Sequence, residues 1–504
     1  MVTPNSSTWI CNVCNYEHEG SEPPELCPTC GAESEAFEQD QKGEVDSISQ
    51  PKCKWLCKLC GYIHEAENPP EVCPVCGADA EEFEKCDEDS GTANPPSQDY
   101  LSEWEKSDDS FEQKFSRMVD LAKHGKSEIT PMRTQKSFID WDSILFKGAQ
   151  LFRMPLNEDE AVSTTTIIGK TAKHPVEIAM PFYVSHMSFG ALSREAKIAL
   201  ATGSKLVGTA ICSGEGGLLP EERQAAGCYI YELGTASFSH VDEAILKADA
   251  IEIKIGQAAK PGLGGHLPKE KITDEIAQIR GIPKEQDSIS PGRPFNISNQ
   301  ADLINQVDRL RKLTDGKPIG IKFTAGHIEK DLEFALSAKP DFITIDCRGG
   351  ATGAAPTFIK DNVCLPPVFA IHRARKYLDQ VQSKVTLCIT GGFRDSADIA
   401  KALALGADAI ALATASLIAI GCQQYRVCHS GKCPVGITTQ DPELRSRFIV
   451  DESVKRFVNF YNATKKELVT FAQTNGRNNI HDLDITDIFT LNNEISQNTD
   501  IEHA

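Results

Sequence analysis

Eleven of the 18 cysteines stand at spacings that suit metal chemistry. Cys11, Cys14, Cys27 and Cys30 form two Cys-x-x-Cys pairs with twelve residues between them, and Cys57, Cys60, Cys73 and Cys76 repeat the pattern. A Cys-x-x-Cys turn presents two thiolates to one metal, and two such turns close a tetrahedron. Cys422, Cys428 and Cys433 differ: five residues and then four separate them, and no fourth cysteine joins them nearby. Mononuclear zinc and iron sites usually take four protein ligands, so these three leave the nature of their centre open. Clustered cysteines with no signal-peptide pattern point to metal or redox chemistry rather than to disulfides, and to the cytoplasm.

The two sets of four belong to one unit written twice, 46 residues apart: WICNVCNYEHEGSEPPELCPTCGAESEAFE and WLCKLCGYIHEAENPPEVCPVCGADAEEFE. Trp9 matches Trp55, Tyr16 matches Tyr62, and Phe37 matches Phe83. So small a unit builds little core, and a metal plus a few aromatics must hold it. Polar, turn-rich stretches separate the copies from each other and from the rest of the chain. The expected organisation is two small domains at 1–42 and 51–88, a linker at 89–104, a large domain at 105–480 and a tail at 481–504. Residues 1–100 carry 21 acidic and 5 basic side chains, a net of −16 out of −20 for the chain. That balance argues against nucleic acid and suits acidic arms meeting a basic protein partner, with acidity for solubility alone as the alternative. No apolar stretch reaches the length of a membrane span.

From about residue 175, short apolar runs such as AIEIKIG, PIGIKFTAG, DFITIDCRGG and VTLCITGG alternate with amphipathic helical stretches. Buried strands alternating with helices indicate a parallel sheet, and the expected fold is α/β, a (β/α)8 TIM barrel. Strand ends carry the chemistry in that fold, and the loops after the last two strands commonly hold a phosphate. Gly391 and Gly392, with the hydroxyl of Thr414, fit such a site. A second glycine-rich loop contains Gly349, Gly350 and Gly353. No G-x-G-x-x-G opens a helix after the first strand, so a nicotinamide site is not expected and electrons would arrive through metals. Lys322 is a cation inside an otherwise apolar strand.

Each repeat resembles the rubredoxin-like domain at the end of rubrerythrins. The resemblance implies one iron per copy, two mononuclear irons in all, cycling for one-electron transfer; a zinc ribbon is the alternative for the same four thiolates. SHMSFGALSREA, SGEGG, IKIGQAAKPGLGGHLPKEKI, RGGATGAAP and GCQQYRVCHSGKCPVGITTQDPELR, in that order, resemble the FMN-binding synthase domain of glutamate synthase, and more closely its short, stand-alone relatives. The resemblance implies FMN in the barrel and one 3Fe-4S cluster on Cys422, Cys428 and Cys433. A cuboidal cluster lacking one iron needs three thiolates; a 4Fe-4S cluster with one other ligand is the alternative. Ser188 and Gly190 would let the backbone approach the flavin, and Lys322 would stabilise its reduced pyrimidine edge. Gly349, Gly350, Gly353, Gly391, Gly392 and Thr414 would line the phosphate and ribityl chain. Lys254, Gln257 and Lys260 would fix the carboxylates of 2-oxoglutarate, and Glu215 would handle ammonia or a proton.

The implied reaction is reduction of 2-oxoglutarate plus ammonia to L-glutamate. The implied partner is a basic electron-donor protein, a rubredoxin reductase or a ferredoxin-type carrier. The amidotransferase pattern of the family is absent from this sequence, so ammonia is expected from solution or from a separate glutaminase subunit. The chain reads SPGRPFN where classical members carry Pro-Pro-Pro-His-His-Asp. Another imine, such as that from methylamine, another keto acid, or a redox hub without its own substrate are the alternatives.

Overall fold

The computed structural model describes residues 7–12, 17–20, 22–28, 32–39, 54–58, 63–66, 68–73, 79–86, 104 and 106–504. Two compact units emerge, Met1–Gln39 with Ser127–Ala504 and Asp40–Lys126, so the two cysteine repeats belong to different units. Each repeat is a three-stranded antiparallel sheet. Ser7–Cys11 lies between Glu17–Gly20 and Phe37–Gln39, and Lys54–Cys57 lies between Ile63–Glu65 and Phe83–Cys86. The registers coincide: Cys11 pairs with Phe37 and Cys57 with Phe83. Their cores are as small as their length dictates. Cys11, Cys27 and Phe37 pack on Trp9, and Cys57, Cys73 and Phe83 pack on Trp55. Such a core cannot offset the chain entropy of folding unaided, so a bound metal would supply the missing stabilisation. Cys14, Cys30, Cys60 and Cys76 lie outside the described residues, as do Tyr16 and Tyr62.

The large domain is a closed barrel of eight parallel strands. They are Phe182–Val184 (β1), Ala210–Cys212 (β2), Cys228–Leu233 (β3), Ala250–Lys254 (β4), Ile319–Thr324 (β5), Phe342–Asp346 (β6), Thr386–Thr390 (β7) and Ala409–Leu412 (β8). Each pairs with the next, and β8 returns to β1. Side chains alternate along each strand. In β6, Phe342 packs inside the barrel with Tyr183, Cys212 and Ala411, while Ile343 and Ile345 face the helices. Thr344 and Asp346 continue the inward row, so polar groups accumulate toward the C-terminal end of the strands. Gly320 in β5 makes room for Phe342, because a Cβ there would lie 2.2 Å from its ring. An antiparallel hairpin, Thr166–Ile168 with Val176–Ile178, adds Ile168, Val176 and Ile178 to the interior and plugs the N-terminal end of the barrel.

The helix Arg194–Leu206 follows β1, with Ser193 capping it through the Ala196 N–H. It packs on the long helix Val450–Thr474, where Phe457 lies against Gly203. The segment expected to be a tail at 481–504 instead completes the core. Ile488–Thr490 pairs with Ile144–Phe146, and Ile488, Ile495 and Ile501 are buried. No helix among the described residues is long and apolar enough to cross a membrane.

Candidate functional site

The C-terminal ends of the strands open into a cavity of about 400 Å³, within the usual range for a cofactor or ligand site. Its wall includes Ser188, Glu215, Lys254, Gln257, Lys260 and Lys322. It also includes Gly349, Gly350, Gly353, Gly392 and Thr414. At one end it reaches Cys422, Cys428 and Cys433. Residues far apart in the sequence, from Ser188 to Cys433, therefore meet at one place.

Two of the expected wall residues stand behind it. A Cβ on Gly190 (φ +102°) would lie 2.9 Å from the Leu267 side chain and 3.2 Å from Arg280, so its bareness serves loop packing. Gly391 (φ +135°) presses on the loop after β6, where a Cβ would meet the Cys347 carbonyl oxygen at 2.6 Å. Its neighbour Gly392 packs tightly on Gly349 while lining the cavity. Gly391→Ala is expected to destabilise the barrel by about 2–4 kcal/mol, combining a left-handed backbone with a backbone clash. A thermal melt with an unchanged midpoint would show that the two loops can move apart.

Inside the mouth runs a chain of alternating charges. Glu215 accepts a hydrogen bond from Lys254 Nζ at 2.6 Å. Lys254 also lies 3.5 Å from Glu232, and Lys322 Nζ donates to Glu232 at 3.3 Å. His186 sits 3.7 Å from Glu232 and is hydrogen-bonded to Glu252, whose other oxygen accepts from Thr344. All of these side chains are less than one-tenth exposed. Buried charges are costly unless paired, and the strand register brings these groups together. Glu232 stands level with Glu252 across β3 and β4, and Lys254 level with Lys322 across β4 and β5.

Burial works against the charge of Glu232, but Lys322, Lys254 and His186 outweigh it and hold its carboxyl down to about 2. Burial also opposes the ammonium of Lys254, and Glu215 with Glu232 more than reverses that, raising it. Lys254 therefore stays a cation already committed to two carboxylates. Glu215 is held below its usual range by Lys254 in spite of burial, so it is an acceptor, and its Oε1 is buried without a hydrogen-bond partner. Asp346 is pushed upward by burial, and its Oδ1 also lacks a partner.

Lys260 is different. It is 6% exposed and lines the cavity, yet among the described residues its ammonium makes no ion pair and no hydrogen bond. Burial, aided by Lys254, brings it down to about 8. Gln257 Nε2 donates to Thr352 at 3.1 Å, tying this loop to the glycine-rich loop after β6.

The three cysteines lie close together: Cys422 feels the charge of Cys428 and Cys433, and Cys428 that of Cys433. Backbone N–H groups of Thr438, Val435 and Ile437 point at Cys433, which is lowered although burial opposes this. The N–H of Gln424 reaches Cys422 Sγ at 3.4 Å. Three sulfurs, two of them receiving backbone N–H groups, could serve as thiolate ligands of an iron–sulfur cluster.

His186, Glu232, Glu252, Asp346 and Thr438 were not singled out from the sequence. Glu232 and Glu252 share the signal that marked Lys322, an ionisable residue inside an apolar strand.

The conserved region of glutamate synthase matches residues 115–478, and the rubredoxin-like domain of rubrerythrin matches residues 9–38 and 55–84. A glutamate synthase large subunit-like protein of Rhizobium meliloti is 36% identical over 391 residues, covering 73% of this chain and 88% of that one. An archaeal glutamate synthase [NADPH] of Archaeoglobus fulgidus is 35% identical over 396 residues, covering 73% and 78%. Among solved structures, the flavin-binding domain of baker's yeast flavocytochrome b2 superposes with a TM-score of 0.44 at 16% identity, covering 69% and 76%.

Proposed function

The chain belongs to the glutamate synthase family, with two rubredoxin-like domains ahead of the family's conserved region, and from that premise we propose that it reduces the imine of 2-oxoglutarate and ammonia to L-glutamate with FMN. The observation that carries the reading is Lys260, a buried and unpartnered ammonium beside Lys254 and Gln257 in the barrel mouth. A group of that kind calls for an anionic ligand.

The residues present suit FMN. Gly349, Gly350, Gly392 and Thr414 would hold its phosphate, and Gly353 leaves space, since a Cβ there meets nothing within 4 Å. Lys322 spends one N–H on Glu232 and lines the cavity, so it can meet the flavin's pyrimidine edge. FMN supplies the change from one-electron to two-electron chemistry. Cys422, Cys428 and Cys433 would hold a 3Fe-4S cluster that delivers single electrons.

Lys260 would anchor a substrate carboxylate. Lys254, already paired, would hold Glu215 in place. Glu215 Oε1, ionised and unsatisfied, would accept an N–H from ammonia or from the imine, orienting the nitrogen rather than protonating it. The rubredoxin-like domains would be the electron entry, receiving electrons from a basic reductase. Their acidity supports this, as does a hydrogen bond of 3.0 Å from Ser237, in the loop after β3, to the carbonyl of Pro28 beside Cys27. Ammonia would come from solution or from a glutaminase subunit.

Chemically reduced protein mixed anaerobically with 2-oxoglutarate and ammonium is expected to recover its oxidised flavin spectrum and to release glutamate. Lys260→Ala should raise half-saturation by 2-oxoglutarate about 10- to 100-fold, the worth of a hydrogen bond to a charged group. The ammonium is present below about 8 and lost above it, so wild-type half-saturation should rise as pH climbs through that value. In Lys260→Ala that rise should vanish. Reduced flavin that ignores 2-oxoglutarate with ammonia would overturn the assignment.

A further inference from the structure

Lys271 ends a short 3-10 turn, Lys269–Lys271, that follows the strand His266–Leu267. Ile272 and Leu267, on either side, are anchored in a small apolar cluster with Phe189, Leu219 and Ile276. The lysine stem is thereby fixed. It runs under the cysteine loop, where a Cβ on Gly431 would lie 3.4 Å from its Cγ. Its ammonium donates to the Cys428 carbonyl at 3.1 Å. The residue is only 7% exposed. Among the described residues no carboxylate lies within ion-pair distance of it, and it lines the same end of the cavity as Cys428 and Cys433.

A buried ammonium without a carboxylate is costly unless an anion stands near it. Here the three-cysteine centre would supply that anion. We propose that Lys271 is a positioning residue whose fixed charge raises the reduction potential of the cluster on Cys422, Cys428 and Cys433. This rests on the cluster reading given above. Reduction transfers one electron from a ferrous rubredoxin-type iron, which becomes ferric, to the cluster. It adds one negative charge to an already anionic group, and no bond or proton moves. A cation close by stabilises that added charge. At an effective dielectric of about 20, a unit charge within several ångströms is worth about tenfold or more in the electron-transfer equilibrium. The lysine thus draws electrons from the acidic arms toward the barrel.

The test uses the full chain, purified anaerobically, with iron and sulfide analysis and a redox titration followed by electron paramagnetic resonance. Lys271→Met keeps the stem and removes the charge. Its cluster content should equal that of the unaltered chain, and its midpoint should shift to more negative values by about 59 mV, the equivalent of tenfold for one electron. Lys271→Arg, which keeps the charge, should titrate near the unaltered protein. A Met variant with full cluster and an unmoved midpoint overturns the proposal. If Lys271→Met loses the cluster, Lys271→Gln, a neutral donor, replaces it in the titration. If both lose the cluster while Lys271→Arg keeps it, the lysine is a prop and the proposal fails. An unaltered chain with no cluster at all refutes the cluster reading itself, a separate result.

Discussion

Cys428→Ser protein is expected to purify with an intact barrel and without cluster iron or sulfide. Cys428 begins a 3-10 turn outside the eight strands and is only partly buried, so its loss leaves the barrel core untouched. A hydroxyl is a poor substitute for thiolate on iron, and with two cysteines left the cuboidal centre has too few ligands. Electrons from a metal donor would then have no route to the flavin, and donor-driven flavin reduction should fall at least about 100-fold, on the order of 2.7 kcal/mol in the barrier. Small-molecule reductants should still bleach the flavin, and 2-oxoglutarate with ammonium should still reoxidise it, because Lys260 and Glu215 stand on other loops. Unchanged iron and sulfide in the variant would show that the three-cysteine loop holds no cluster.

Protein beginning at Tyr100 should keep FMN, the cluster and the oxidation of chemically reduced flavin, and lose turnover driven by its protein donor by about 100-fold or more. The deleted segment carries −16 of the −20 net charge and both sets of four cysteines. The hydrogen bond from Ser237 on the barrel to its Pro28 carbonyl is exposed, so water can replace it at little cost. The thiolate-to-iron charge-transfer bands of ferric rubredoxin centres should disappear with the deletion. Donor-driven turnover of the full chain should also decline as salt rises, because the screening length falls from about 10 Å at 0.1 M to about 3 Å at 1 M. Equal donor-driven rates with and without the segment would place electron entry elsewhere.

The two rubredoxin-like repeats were legible because their cysteine spacing is a local pattern. The barrel was legible because each βα unit repeats one local pattern. Lys322 stood out for a similar reason, a charge in an apolar run. What stayed hidden depends on pairing across the sheet. Glu232 and Glu252 are adjacent only through the register of β3 with β4, and His186 comes from the loop after β1. Lys254 and Lys260, read together as carboxylate binders, separate only when Glu215 and Glu232 are seen to occupy Lys254 alone. Gly391 illustrates the same limit, since its tight neighbour Cys347 lies on another strand's loop. Residues 481–504 carry no such repeated pattern; Ile488 is buried in a strand paired with Ile144–Phe146, and Ile495 and Ile501 are buried in the same main core.

That contact has a consequence for how the protein is made. The strand Ile144–Phe146 leaves the ribosome long before its partner Ile488–Thr490 is translated. Until then Ile144 and the surface meant for Ile495 and Ile501 remain open, and the large domain stays at the non-local, slow-closing end of folding. The N-terminal sheets need nothing from so far away, since Trp9 already pairs with Gln39 and Trp55 with Lys85. Their strands can pair while most of the barrel is still unmade. Assembly therefore runs from the N-terminal sheets, whose strands pair locally, to the large domain, whose core is completed only with Ile488–Thr490.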